Sequence, residues 1–163
     1  MAYDIYDASV PPLVHMLGGL SAILAKGEAH GGIDPNESRL APDMLPLKAQ
    51  VFIATDMAKG CGARLSGIEP PKYEDNETTY PELKARVAKT IAFLKGLDRK
   101  AFAGAEDKHI VLKFPTNTFE FNGADYVGRF VLPNVYFHIT TAYGILRNRG
   151  VALSKGDYLS GEK

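Results

Sequence analysis

The chain of 163 residues is 45% hydrophobic and 23% charged, with 19 basic and 19 acidic side chains that cancel to a formal charge of zero. That composition belongs to folded globular chains; it excludes the concentrated basic surface a nucleic-acid binder needs, and no unbroken apolar run reaches bilayer-spanning length. The single cysteine, Cys61, cannot form an internal disulfide, and the acidic start from Met1 to Ser9 has no apolar signal segment, so a cytoplasmic setting is expected, with no membrane or nucleic-acid partner.

Ser9 ahead of Val10-Pro11-Pro12 reads as an N-cap with prolines in the first turn, where amides lack intrahelical acceptors. The first helix then runs to about Lys26, with Val10, Leu13, Leu17, Leu20 and Leu24 forming one apolar stripe. His15 falls on the opposite side, toward solvent or a partner. Asp34-Pro35-Asn36-Glu37 reads as the cap and first turn of a short helix within an ordered connection. The second helix spans about Pro46 to Leu65. Leu47, Val51, Ala54, Ala58, Cys61 and Leu65 share its buried face, Gln50 stands at the edge, and Asp56 points the other way. Ala54, Ala58 and Gly62 predict close approach of a neighbouring helix, and Cys61 reads as a small buried hydrophobe.

Ser66 to Thr78 is an irregular crossing containing Pro70-Pro71 and the acidic run Glu74-Asp75-Asn76-Glu77; its length predicts a passage over one end of the protein. Thr79-Tyr80-Pro81-Glu82 is a capping box. The third helix follows with Leu83, Val87, Ile91 and Leu94 inward and Lys84, Lys89 and Lys95 outward. The basic set Lys84, Arg86, Lys89 and Lys95 is read as a solvated face, and Gly96 as the stop. Ile110, Leu112 and Phe114, then Phe119 and Phe121, alternate across Pro115-Thr116-Asn117, the pattern of a β-hairpin. An isolated hairpin is marginal in water, so helices or a second subunit should cover it.

A brief helical segment from Ala124 to Phe130 leads to the last helix, Pro133 to about Asn148, closed by Gly150. Val135, Ile139, Ala142 and Leu146 form its stripe, flanked by Asn134, His138, Thr141 and Ile145. The tail, Val151 to Lys163, reads as short, polar and extended. One mainly α domain over residues 1–163 is expected: an antiparallel four-helix bundle with long crossings and a small β-hairpin before the last long helix.

Phosphate loops, dinucleotide glycine fingerprints, paired-cysteine zinc patterns, His-Glu-x-x-His and nucleophile elbows are all absent from the sequence. What remains is His138, the best catalytic candidate. Asn134 lies one turn before it on the same face and Gln50 faces it across the core. With Thr141 they define a candidate ligand pocket for a small molecule. Amide oxygens are weak ligands for zinc or nickel, whereas a buried imidazole bonded to a carboxamide is a satisfied core group.

Leu45-Pro46-Leu47-Lys48-Ala49-Gln50-Val51, Ala54-Thr55-Asp56-Met57-Ala58-Lys59, Phe137-His138-Ile139-Thr140-Thr141-Ala142-Tyr143-Gly144-Ile145-Leu146-Arg147, Gly150-Val151 and Asp157-Tyr158-Leu159 resemble the family of domain of unknown function 1993. That family is grouped with the DinB/YfiT-like four-helix bundles. The resemblance implies a homodimer and a divalent metal, zinc or nickel, held by one histidine on the second helix and a His-x-x-x-His pair on the last long helix. Counted back from Leu146-Arg147 and Gly150, His138 takes the place of the pair's second histidine, Asn134 that of the first, and Gln50 that of the second-helix histidine. Two of the three imidazoles are therefore missing. Two functional readings stay open: a small-molecule-binding or interaction protein with a degenerate metal site, and a metal-dependent hydrolase or thiol-transferase-type enzyme using His138.

Overall fold

In the computed structural model, which describes residues 3–161, α1 spans Ile5–His30 and is capped by Asp4 in a reciprocal capping box with Asp7. It starts a turn before Ser9. Pro11 and Pro12 consequently stand inside the helix, and the buried Ser9 hydroxyl donates to the Ile5 carbonyl at 2.6 Å. Tertiary contacts hold the earlier start: Arg99 meets Asp7 at 2.5 Å and Asp4 at 2.8 Å, and Tyr6 packs edge-on against Phe102 at 5.1 Å. Both partners belong to the 3₁₀ turn Arg99–Phe102. The predicted stripe from Val10 to Leu24 is buried and His15 is exposed. The most apolar 18-residue window of α1 has a mean hydropathy of 1.5, so the helix as a whole is long and apolar enough to cross a membrane even though its unbroken runs are not. Half of that window is buried within the protein.

Asp34 to Glu37 makes a hydrogen-bonded turn and no helix. The Asp34 carbonyl accepts from the Ser38 amide at 3.0 Å, but the Ser38 carbonyl then accepts from Leu47 at 2.9 Å, which ends the coil and starts α2, Leu47–Ser66. Gly67, with φ of 82°, closes α2 in the left-handed conformation that glycine adopts without strain. Helix α3 covers Tyr80–Lys95 behind the Thr79–Glu82 capping box and ends at Gly96. Strands β1 (Ile110–Lys113) and β2 (Thr118–Phe121) pair antiparallel, with Ile110 opposite Phe121 and Leu112 opposite Phe119. The hairpin is covered by helix: Phe121 lies 5.4 Å from the Phe130 ring and 6.1 Å from Tyr126.

The expected brief segment and last helix are one continuous helical path: α4 (Gly123–Asp125), a π-helical stretch (Tyr126–Val131) and α5 (Leu132–Asn148). In the π stretch the Leu132 amide donates to the Val127 carbonyl, five residues back. Pro133, which has no amide proton to donate, stands directly after the irregular turn, in the first turn of α5. Beyond it α5 is regular and ends in a Schellman arrangement: Val151 donates to Leu146 and Gly150 to Arg147, each at 3.0 Å.

Direction of travel follows from the contacts. Glu28, late in α1, pairs with Lys84, early in α3; Gln50, early in α2, meets His138, while Arg64, late in α2, meets Tyr126 before α5. Both pairs are antiparallel. Helices α2 and α3 run parallel, since Thr55 meets Arg86 and, two turns on, Gly62 packs closely on the Leu94 and Leu97 side chains, which would have to shift to admit a methyl group. The bundle is thus up-down-down-up, with α1, α3, α2 and α5 in cyclic order. A chain leaving α2 must travel back about 30 Å to begin a parallel neighbour of that length. Residues 67–79 therefore run alongside the bundle and not over its end: the Tyr73 ring lies 3.8 Å from Lys59 Nζ, and Glu77 reaches Arg86 at 3.1 Å.

The tail also departs from expectation. Lys155–Leu159 forms α6 behind a Ser154–Asp157 capping box. It docks on α1 through Lys26–Asp157 at 2.6 Å and through the Tyr158 carbonyl, which covers Gly19 where even a methyl group would overlap it.

Candidate functional site

Gln50 is buried at 2% exposure and donates to the Leu45 carbonyl at 2.9 Å. A carbonyl only accepts, so the amide nitrogen points at Leu45 and the amide oxygen at His138 Nδ1, 2.7 Å away. That oxygen can only accept in turn. His138 therefore carries its proton on Nδ1 and leaves Nε2 as a basic nitrogen. The ring is half-buried, and desolvation holds its pKa below the ordinary 6.5, so it is neutral at physiological pH. The other two predicted pocket residues turn away. Asn134 donates its amide to the Phe130 carbonyl at 2.6 Å, beside the π stretch, and the Thr141 hydroxyl donates to the Phe137 carbonyl at 2.8 Å.

These commitments decide how well a metal fits. Gln50 Oε1 is taken by His138, and Asn134, tied to its own helix through its amide nitrogen, keeps only a weak carboxamide oxygen, which leaves one imidazole nitrogen and at most that oxygen where zinc or nickel asks for three or four protein ligands. Among the described residues no group of three His, Cys, Asp or Glu side chains could hold a metal ion. The residues present do not fit a transition metal. Cys61 offers no alternative, being fully buried with its thiol pushed up to about 12 by desolvation.

A cleft of about 450 Å³ opens farther along α2, where the crossing lifts away. Asp56, Lys59, Gly60 and Arg64 form its α2 wall, Glu69 to Tyr73 the crossing wall, and Leu112, Phe114, Tyr126 and Phe130 the hairpin and π-helical wall. Arg64 Nη1 donates to the Tyr126 hydroxyl at 3.0 Å. Tyr126 is 1% exposed, and burial raises its pKa to about 12, so the hydroxyl stays protonated.

Above the cleft lies an ion network that the sequence reading placed in solvent. Arg86 is buried at 2% exposure. It donates to Thr55 Oγ1 at 2.7 Å and pairs with Asp56 at 2.9 Å, Asp75 at 2.7 Å and Glu77 at 3.1 Å, so the acidic run of the crossing is its counter-charge. Phe52 and Tyr73 cover its two sides at 4.6 and 4.9 Å. Lys59, on the same carboxylate of Asp56 at 2.6 Å, and Lys89, 4.2 Å from the Tyr73 ring, complete the cage.

Residues 5–159 match the family described as domain of unknown function, DUF1993. The chain belongs to DUF1993. The crystal structure of a DinB family member protein from Shewanella denitrificans is 40% identical and superposes with a TM-score of 0.85 over 96% of this chain and 92% of that one. No curated protein matches the chain.

Within this DUF1993 member, sequence reasoning brought together Gln50 and His138 and missed the cleft. A signal for Arg86 was nonetheless present: it sits three residues after Leu83 and four before Thr90, both buried, at the edge of the inward stripe. Arg64, Tyr73 and Tyr126 left no comparable trace, because the parallel arrangement of α2 and α3 that draws the crossing past them is a property of the whole topology.

Proposed function

We propose that this DUF1993 protein is a small-molecule-binding protein without a resident transition metal, its ligand seated in the cleft between α2, the crossing and the hairpin. The cleft itself carries the reading. At about 450 Å³ it has the size of a small-ligand site, and it combines apolar and aromatic walls with a few convergent polar groups. Screening small-molecule fragments by ¹⁵N–¹H correlation spectra tests it. Saturable shifts clustered on Gly60, Arg64, Tyr73 and Tyr126 are expected; shifts that map elsewhere, or none, overturn it.

The protein is read as a cytoplasmic homodimer. Leu40, Tyr136 and Phe137 are 43, 39 and 56% exposed around a shallow hollow on the outer face of α5, an apolar surface that a second copy would cover. Light scattering at micromolar concentration should give twice the chain mass, and Phe137→Asp should halve it.

A second reading rests on the fixed tautomer of His138. A neutral imidazole with an unprotonated Nε2 is a competent general base, as a hydrolase or thiol-transferase-type reaction would need. Activity on a panel of activated esters and thiol acceptors that follows the titration of His138, is lost in His138→Gln and persists in Arg64→Met would establish it.

A further inference from the structure

Arg64 is distinguished from the other arginines that bind the bundle together by what it lacks. Arg86 meets three carboxylates and Arg99 two. Arg64 has no carboxylate partner among the described residues, although its side chain is partly buried and lines the cleft. It is also held in place. Its guanidinium lies so close over Gly60 that a methyl group there would overlap Nη1, and Nη1 is tied to the Tyr126 hydroxyl at 3.0 Å. That bond uses the tyrosine oxygen as acceptor and leaves its proton free to donate.

The surrounding charge points the same way. The cleft is lined by three cations, Lys59, Arg64 and Lys72, against two carboxylates, Asp56 and Glu69. Asp56 is already shared between Lys59 and Arg86. A partly buried guanidinium without a counter-ion calls for an anion, and its planar fork matches a carboxylate in two-point geometry. The remaining walls, Phe114, Tyr73, Phe130 and Met57, are flat or apolar.

From this geometry we infer that the cleft takes a small aromatic carboxylate, its carboxylate on Arg64 and its ring against the apolar wall of Met57, Phe114 and Phe130. The inference rests on the cleft reading given above and adds the class of ligand. Arg64 sets the specificity for charge, and Tyr126 acts through it by holding the guanidinium in position.

Titrating the full chain with benzoate and with its neutral counterpart benzyl alcohol, followed by ¹⁵N–¹H spectra, tests the two layers separately. Benzoate is expected to shift the amides of Gly60, Arg64 and Tyr126 saturably and to bind at least tenfold tighter than benzyl alcohol. Arg64→Met, which keeps the apolar stem, should bring benzoate down to the level of benzyl alcohol, and Tyr126→Phe should weaken benzoate severalfold. Should Arg64→Met fail to give a dispersed spectrum, Tyr126→Phe carries the same comparison. Equal affinities for the two probes in the wild-type protein overturn the carboxylate inference and leave the cleft reading standing. Benzoate binding unchanged in both variants overturns it as well. Absence of any shift in the cleft with either probe overturns both.

Discussion

Gln50 accepts from His138 Nδ1 at 2.7 Å while donating to the Leu45 carbonyl at 2.9 Å, so one carboxamide joins the start of α2 to the middle of α5 and fixes a proton on a known ring nitrogen. Nitrogen-15 shifts should report the Nδ1–H tautomer for His138. Because desolvation lowers its folded-state pKa below 6.5, the unfolded chain binds the proton more tightly, and stability is lost as pH falls from that value toward the folded pKa. Gln50→Leu should leave this pH dependence at least as large, because desolvation causes it and the lost acceptor favoured the imidazolium, and should cost about 1–3 kcal/mol for stranding two partly buried polar partners. Gln50→Glu should raise the His138 pKa by placing a carboxylate beside the ring. Urea titrations across pH 5–8 and histidine NMR titrations check these outcomes.

Arg86→Met should destabilise the protein by about 3 kcal/mol, the lower end of the range for breaking a buried ion pair. The lower end applies because Asp56 and Asp75 keep 37 and 48% of their side-chain surface and can rehydrate. Arg86→Lys should rescue little, since a single ammonium cannot meet three carboxylates and Thr55 together. Limited proteolysis should cut both variants first within residues 67–79.

Gly19→Ala tests the docking of α6. The added methyl would overlap the Tyr158 carbonyl, a backbone group that cannot yield by rotating, so α6 must move at a cost of about 1–3 kcal/mol. Hydrogen exchange should accelerate at residues 155–159 and stay unchanged in α2 and α3.

Tyr80→Phe should be neutral or stabilising by up to about 1 kcal/mol. The Tyr80 hydroxyl is buried with no hydrogen-bond partner among the described residues, pressed against Gly27 on α1. Thermal melts of the two proteins decide the sign, and a clear loss of stability would show that the hydroxyl is satisfied in solution.

What was legible in the sequence was whatever short-range periodicity dictates. The faces of α2 and α3, the Thr79–Glu82 box, the hairpin and the Gly150 stop are each set within a few residues, and the structure carries them all. The start of α1 was misplaced because Arg99, far along the chain, stabilises Asp4 and Asp7. Arg86 was misplaced because its counter-charges lie on a crossing whose path depends on α2 and α3 being parallel. In the candidate site, the facing of Gln50 and His138 followed from helix geometry; the retreat of Asn134 did not, because it answers a ladder irregularity that a 3.6-residue period does not describe.

The π-helical stretch gives the last helix a phase shift. Relative to an unbroken α-helix, residues before Val131 are rotated by the angle of one residue, about 100°. Tyr126 and Phe130 thereby address the hairpin and the cleft while Ile139 and Ala142 address the bundle axis. Removal of a single codon within 126–131 would restore the regular winding and swing the aromatic pair off the cleft, leaving His138 and the rest of α5 where they are. In a lineage of such bundles, ligand preference and scaffold could then drift apart through one insertion or deletion, with no substitution in the core.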